Sequence, residues 1–154
     1  MTLAQIAEVF AMWFFLPRLL ETIGILWCLA LGVIAWPLRY VIFALGEPLW
    51  MVIASLAFHG IGFTFFFVTS QIYVDHVAKA DIRASAQSLL TLVTMGIGNY
   101  LGTMLYGYVK GLLTHNGVTD WSRLFLVPCF LTTGCAIDYL LFFRPTRHEL
   151  HESA

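Results

Sequence analysis

The stretch PLWMVIASLAFHGIGFTFFFVTSQIYV, residues 48–74, contains 27 consecutive residues without a formally charged side chain. A second stretch of 26 such residues runs from Ala84 to Val109. About 20 predominantly apolar residues are enough for an α-helix to cross a hydrocarbon core of about 30 Å. Because lipid offers no hydrogen bonds to the backbone, a spanning segment of this kind must be helical or part of a closed barrel. Both stretches therefore predict transmembrane helices.

The composition of the whole chain agrees with a membrane protein. Hydrophobic residues make up 60% of the 154 residues and charged residues 11%, against about 45–50% and about 25% in soluble domains. The net charge of -1 excludes the basic footprint of a nucleic-acid binder and the acidic composition of a disordered chain. The lipid bilayer is thus the expected surrounding, and nucleic acid is not an expected partner.

Turn residues between the apolar stretches divide the chain into five helices. The segment 46–48, the charged segment 75–83 and the loop 114–120, which ends in the potential helix N-cap Asp120, are the main connections. We predict an all-α polytopic fold with helical residues 1–143 and a tail of residues 144–154. The predicted helices are Leu3–Leu20, Ile23–Leu45, Leu49–Val74, Ala84–Leu113 and Ser122–Phe143.

The basic residues predict how this bundle is oriented. Lys and Arg collect on the cytoplasmic side of a membrane, and five of them fall on one side of the predicted bundle and two on the other. The larger group, which includes Arg144 and Arg147, places the C-terminal tail in the cytoplasm. Five crossings then put the start of the first helix outside. We therefore expect that further helices precede this chain in a longer transporter.

Ionisable groups within a membrane are costly, at about 2.5–3.5 kcal/mol on insertion scales, and therefore indicate functional positions. Glu8 is predicted at mid-depth, with Gln5 and Met12 on the same helix face. A carboxyl group on such a face can bind and release a proton as its surroundings hydrate and dry. Structural satisfaction of Glu8 by a neighbouring helix is the alternative.

Four other ionisable residues have a choice of roles. Arg39 can reach the interface beside aromatic anchors or pair with a buried carboxylate. His59 precedes a run of glycines and aromatic residues that can stack on a planar ligand or face lipid. Asp75 is expected to form ion pairs with Lys79 and Arg83. Asp138 can either contact a neighbouring helix or form a second polar site.

Other chemistry has little support in the sequence. The three cysteines lie in apolar runs without metal-ligand spacing, and they are expected to be small packing residues. We predict no cofactor, no metal site and no enzymatic activity, since no reactive constellation is apparent. The pairs Gly98 and Gly102, and Gly107 and Gly111, have the GxxxG spacing that lets helices pack closely or bend.

Four short motifs together resemble the C-terminal half of the nucleoside:proton symporters of the major facilitator superfamily. They are AQIAE at 4–8, WPLRY at 36–40, IRASAQ at 82–87 and NGVTDW at 116–121. The resemblance covers nearly the whole chain. It implies a partial major facilitator fold in which the five helices are the eighth to twelfth of twelve, completed by an N-terminal six-helix half and located in the inner membrane.

The resemblance also implies roles for individual residues. Gln5 corresponds to a nucleoside-binding position, Glu8 to a binding or coupling position, and Phe63 to an aromatic residue that contacts the base. The family typically carries a proton-coupling aspartate after this aromatic residue, where the present chain has Thr64, which we expect to contact the substrate. Threonine does not titrate in the useful range, which leaves Glu8 and His59 as the candidates for proton coupling.

The sequence thus predicts part of a secondary transporter that moves nucleosides with protons by alternating access. A transporter for another small polar solute, such as a sugar, is one alternative. A small membrane protein that does not transport and serves as an interaction partner is another.

Overall fold

The computed structural model describes residues 2–46 and 48–142, except the side chains of residues 2–4, 49 and 57. Five long helices and one short β-hairpin make up this part of the chain. The first helix consists of α1 (Thr2–Phe10), a π-helical segment π1 (Ala11–Phe15) and α2 (Leu16–Ile23), and the second is α3 (Ile25–Leu45). The third consists of α4 (Leu49–Phe63), π2 (Thr64–Val68) and α5 (Thr69–Val77). The fourth consists of α6 (Arg83–Thr91), π3 (Leu92–Gly98) and α7 (Asn99–Leu112), and the fifth is α8 (Trp121–Phe142).

The predicted all-α architecture with five helices is confirmed, with small shifts at the helix ends. The first helix continues to Ile23, because the break falls at Gly24 with φ of +81°. The third helix extends to Val77, which places Asp75 inside α5 instead of in a loop. The predicted tail, residues 144–154, lies outside the described residues.

Four of the helices are long and apolar enough to cross a membrane within the described ranges. They are Ile25–Leu45, Trp50–Val77, Arg83–Leu112 and Trp121–Phe142. The first helix is not among them, and it carries Gln5, Glu8, Arg18 and Glu21. That the first helix also crosses the membrane stays a prediction.

The loop predicted between the fourth and fifth helices is a β-hairpin. Strands β1 (Thr114–His115) and β2 (Val118–Thr119) pair antiparallel around Asn116 and Gly117, whose φ angles are +51° and +81°. Two positive φ values are typical of a type I′ turn, the geometry that an Asn-Gly pair favours. Asp120 accepts a hydrogen bond from the backbone N–H of Arg123 at 3.1 Å, which confirms the predicted N-cap.

Alanine in place of Gly117 is expected to loosen this hairpin by about 1 kcal/mol, because a Cβ atom is strained in the left-handed region. Hydrogen exchange of the amides of 114–119 should become faster in the Gly117→Ala variant. Gly111→Ala is the matched control, since Gly111 is helical and has open space around its Cβ position. Equal exchange in both variants would contradict the turn assignment.

The second helix is the centre of the bundle. It packs most extensively against α8 and also contacts α4 and π2. A core cluster of Ala11, Leu16, Cys28 and Phe65 joins the first three helices. The Tyr139 hydroxyl of α8 donates to the Leu26 carbonyl of α3 at 2.8 Å. Cys28 and Cys129 are buried, Cys135 is exposed, and all three are free thiols.

Among the described glycines, Gly32 of α3 lies nearest to the backbone of another helix. A Cβ atom at this residue would lie 2.5 Å from the backbone nitrogen of Phe66 and 2.6 Å from the carbonyl carbon of Phe65. Both atoms belong to π2, so no side-chain rotation can relieve the overlap. Gly32 therefore permits α3 to pack directly on the backbone of the third helix.

The GxxxG pairs of the fourth helix do not have this function within the described residues. Cβ atoms built at Gly102, Gly107 and Gly111 meet nothing within 4 Å, and Gly98 faces only its own helix. No residue of the fourth helix is buried in the described part of the chain. Close packing of these glycines against another helix is thus not observed among the described residues, and it stays a prediction.

Candidate substrate site

A hydrogen bond joins two of the predicted site residues across the first and third helices. The start of the first helix packs along α4, and the Thr64 hydroxyl donates to the main-chain carbonyl of Glu8 at 3.3 Å. Glu8 and Thr64 are 56 positions apart in the chain. Their contact joins two sequence motifs that are distant in the chain.

Gln5 and Glu8 lie on one face of α1. Gln5 is exposed and Glu8 partly buried, and their spacing of three residues places the two side chains side by side. No cationic group of the described residues lies within 4 Å of the Glu8 carboxylate. Within the described residues the carboxylate thus has no salt bridge, and the amide of Gln5 beside it can both donate and accept hydrogen bonds.

Aromatic rings lie close together on the third helix around Thr64, and two of them, Phe66 and Phe67, line a cavity with residues of α3 and α8. The rings of Phe63 and Phe67 lie 4.9 Å apart between centroids with a tilt of 39°, and Phe66 contacts Phe67 edge-on at 5.1 Å. Phe63 is partly buried. The sequence predicted Phe63 alone, whereas the structure adds Phe67 one turn further as its ring partner.

Thr64 itself is fully buried between the two helices. Its hydroxyl is used in the contact with Glu8, and its own carbonyl accepts a hydrogen bond from the Thr69 hydroxyl at 3.5 Å. In this arrangement the side chain joins two helices and does not reach the open face. Direct contact between substrate and Thr64 stays a prediction.

His59 lies one helical turn before Phe63 and is held by Arg39. An Nη1 atom of Arg39 lies 2.9 Å from Nδ1 of His59, and Trp36 meets the imidazole edge-on at 5.3 Å. A guanidinium can only donate, so the bond requires an Nδ1 atom without a proton. Proton uptake at Nδ1 would break this bond, which does not favour His59 as a proton carrier. Its coupling role also stays a prediction.

Arg39 has aromatic neighbours instead of a carboxylate. Its guanidinium lies 4.7 Å from the centroid of Phe43 and 5.9 Å from those of Trp36 and Tyr40. No carboxylate of the described residues is within 4 Å. Pairing of Arg39 with a carboxylate is thus not observed among the described residues, and its reach to the membrane interface stays a prediction.

The remaining ionisable residues lie away from the contact between Glu8 and Thr64. Asp75 forms an ion pair with Arg83 at 3.5 Å and accepts a hydrogen bond from Gln87 at 3.2 Å, which confirms the predicted pairing with Arg83. Asp138 is exposed on α8 and has no ion pair with a described residue. Within the described ranges, no three metal-ligating side chains are grouped together.

Wide helical turns flank the site, and sequence reasoning missed them. Segment π1 begins three residues after Glu8, and π2 begins at Thr64. Such segments interrupt the regular hydrogen-bond ladder and are frequent at functional positions. Each includes neighbouring aromatic residues, Trp13 to Phe15 in π1 and Phe65 to Phe67 in π2, but this composition is not specific enough to identify a π-helix.

Membrane-length helices with irregular turns beside a polar, partly open face are typical of secondary transporters. The chain matches the nucleoside H+ symporter family over residues 1–148, and it therefore belongs to that family. It is 30% identical to nucleoside permease NupG of Escherichia coli over 148 residues, which are 94% of this chain and 35% of NupG. It is 31% identical to the putative nucleoside transporter YegT of the same organism, covering 97% of this chain and 38% of YegT.

Solved structures agree with this assignment. The crystal structure of NupG superimposes with a TM-score of 0.84 at 29% identity, covering 94% of this chain and 36% of that chain. A mutant of NupG gives a TM-score of 0.86 over 92% of this chain. The chain thus spans about a third of the length of the relatives it matches, and its fold is that of a major facilitator-type transporter segment.

Proposed function

We propose that this chain is the C-terminal helical part of a nucleoside:proton symporter, a transporter and not an enzyme. The observation that carries the proposal is the Thr64 to Glu8 hydrogen bond, which joins a carboxyl-bearing helix to the aromatic helix. The family match and the names of the relatives support a nucleoside as the transported solute.

In this proposal Gln5, Phe63 and Glu8 provide the contacts with the substrate and the proton. Gln5 donates and accepts hydrogen bonds with the nucleoside, and Phe63, supported by Phe67, stacks on the base. Base stacking on an aromatic ring contributes about 1–3 kcal/mol in nucleic-acid systems. Glu8 contacts the substrate and carries the proton, since its carboxylate has no cationic partner among the described residues.

Thr64 and His59 are given supporting roles. Thr64 fixes the first helix against the third and so determines where the Glu8 carboxylate lies relative to Phe63. His59, bonded to Arg39, supports the turn that precedes Phe63. It takes over proton coupling only if Glu8 does not.

The inner membrane and further helices surround the chain in this proposal. We place the protein in the inner membrane with a cytoplasmic C-terminus, because most basic residues are on that side. A six-helix N-terminal half and the seventh helix complete the transporter, and the two halves alternate access around the substrate. The 154 residues expressed alone are then expected to give no uptake above background.

Uptake by a chimera tests the proposed substrate. Residues 1–148 would replace the matching third of NupG, and uptake of labelled uridine would be measured in cells that lack their own nucleoside permeases. We expect uptake that unlabelled nucleosides inhibit and sugars or amino acids do not. Inhibition by a sugar would indicate that the transported solute is a sugar and not a nucleoside. Absence of uptake by a chimera that reaches the membrane would refute the nucleoside assignment.

Phe63→Ala in this chimera is expected to weaken apparent uridine affinity about tenfold, the equivalent of roughly 1.4 kcal/mol of lost stacking. The Michaelis constant for uridine uptake is the measurement. Phe58→Ala is the matched control, since Phe58 lies on the same helix and is exposed but makes no ring contact with Phe63 or Phe67. Equal loss of affinity in both variants would show that Phe63 has no specific contact with the base.

A further inference from the structure

A cavity lies between α3, α7 and α8, near the hairpin end of the bundle. Its volume is about 490 Å³, and its lining is mostly apolar and aromatic with a few polar groups. The polar or aromatic members that matter here are Arg39, Tyr40, Phe43, Asn99, Tyr106 and Phe125. The residues proposed to bind the nucleoside, on the first and third helices, do not line it.

Arg39 is the single charged residue in the lining of this cavity. Its Nε atom is buried without a hydrogen-bond partner, and no carboxylate of the described residues is close enough to neutralise it. A cation in a low-dielectric region without a counter-charge is unfavourable unless an anion joins it. The positive charge of Arg39 in the lining therefore has no negative partner among the described residues.

The cavity opens on the flank of the helices and not into a loop. Tyr106 in the middle of α7 is 45% exposed and Leu131 in the middle of α8 is 54% exposed, and both belong to the lining. Both helices are membrane-length, so the opening lies at membrane depth in the part of the chain that the structure describes. Its mostly apolar lining suits a ligand that has an apolar chain as well as a negative charge.

We propose that this cavity binds an anionic phospholipid. An acyl chain lies along the apolar wall made by Phe43, Phe125 and Leu131, and the phosphate accepts hydrogen bonds from the Arg39 guanidinium. Arginine suits this task because its planar N–H groups match phosphate oxygens. Binding of this lipid does not depend on which solute the transporter carries.

Lipid titration of the full chain in detergent tests this proposal. Native mass spectrometry would compare binding of phosphatidylglycerol and phosphatidylcholine. Arg39→Gln is expected to weaken phosphatidylglycerol binding about fivefold, which corresponds to about 1 kcal/mol for one cation near a lipid surface, with little change for phosphatidylcholine. Lys110→Gln removes the same charge at the same end of the bundle, but Lys110 packs over Trp121 and is not in the lining. Equal loss in both variants would overturn the proposal.

A second pair of variants tests the cavity without touching Arg39. Gly102 belongs to the lining and Gly107 does not, although both are helical residues of α7 with open space at the Cβ position. Gly102→Leu is expected to reduce binding of phosphatidylglycerol, while Gly107→Leu retains it. Unchanged binding in Gly102→Leu would refute the cavity as the site. Full competition by soluble glycerol phosphate would identify a free-anion site and would also overturn the lipid proposal.

Discussion

Gly32→Ala is expected to destabilise the chain by about 3 kcal/mol, at the upper end of the range for overpacked cores. The added methyl group would lie 2.5 Å from the Phe66 nitrogen and 2.9 Å from the Phe65 carbonyl oxygen. Both are backbone atoms of π2, so α3 and the third helix must separate. Unfolding of the chain in mixed micelles, followed by circular dichroism, measures this loss.

Gly134→Ala is the matched control for this experiment. Gly134 is in the interior of α8, and its Cβ position meets nothing within 4 Å. Alanine is favoured over glycine in helices by about 1 kcal/mol, so this variant should be unchanged or slightly more stable. If Gly32→Ala were as stable as Gly134→Ala, α3 would not pack on π2 as described.

The second large effect is expected for Glu8→Gln in the chimera with NupG. A pH difference of one unit is worth about 1.36 kcal/mol per proton, which supports about tenfold accumulation of a solute coupled to one proton. Glutamine retains the shape and hydrogen-bonding capacity of the side chain but cannot carry a proton. Uridine should then only equilibrate across the membrane, while exchange of internal for external uridine continues.

Accumulation and exchange, measured in the same vesicles, separate the proposed roles of Glu8. Glu21→Gln is the control, since Glu21 is exposed on α2 of the same helix. This variant should still accumulate uridine about tenfold. Persistent tenfold accumulation in Glu8→Gln would refute the proton role, and its loss in His59→Gln would then assign that role to His59. Loss of exchange as well would place Glu8 in substrate binding alone.

Features that depend on local sequence were predictable in this protein. Helix positions followed from uncharged stretches such as residues 48–74, because membrane spans must be both long and apolar. The Asp120 cap and the Asp75 to Arg83 ion pair followed from polar residues at helix ends. Hydropathy and end signals operate over a few turns, so one sequence was sufficient to locate them.

Contacts between distant helices were not predictable in the same way. The GxxxG pairs of the fourth helix have the spacing that favours helix packing, yet the glycine with the tightest contact to another helix is Gly32, which has no such partner four residues away. Likewise, Thr64 was expected at the substrate, whereas its hydroxyl is committed to the Glu8 carbonyl. These contacts depend on how whole helices are arranged in space, and no local signal encodes that arrangement.

The fourth helix is attached chiefly at its two ends. Asp75 and Arg83 hold one end, and the contact of Lys110 with Trp121 holds the other, while none of the residues between is buried in the described chain. At 1.5 Å per residue the helix is about 45 Å long. The wide turn π3 and its glycines lie near the middle of this span. The exposed mid-span is therefore the face of the described chain that is left for lipid or for other helices to cover.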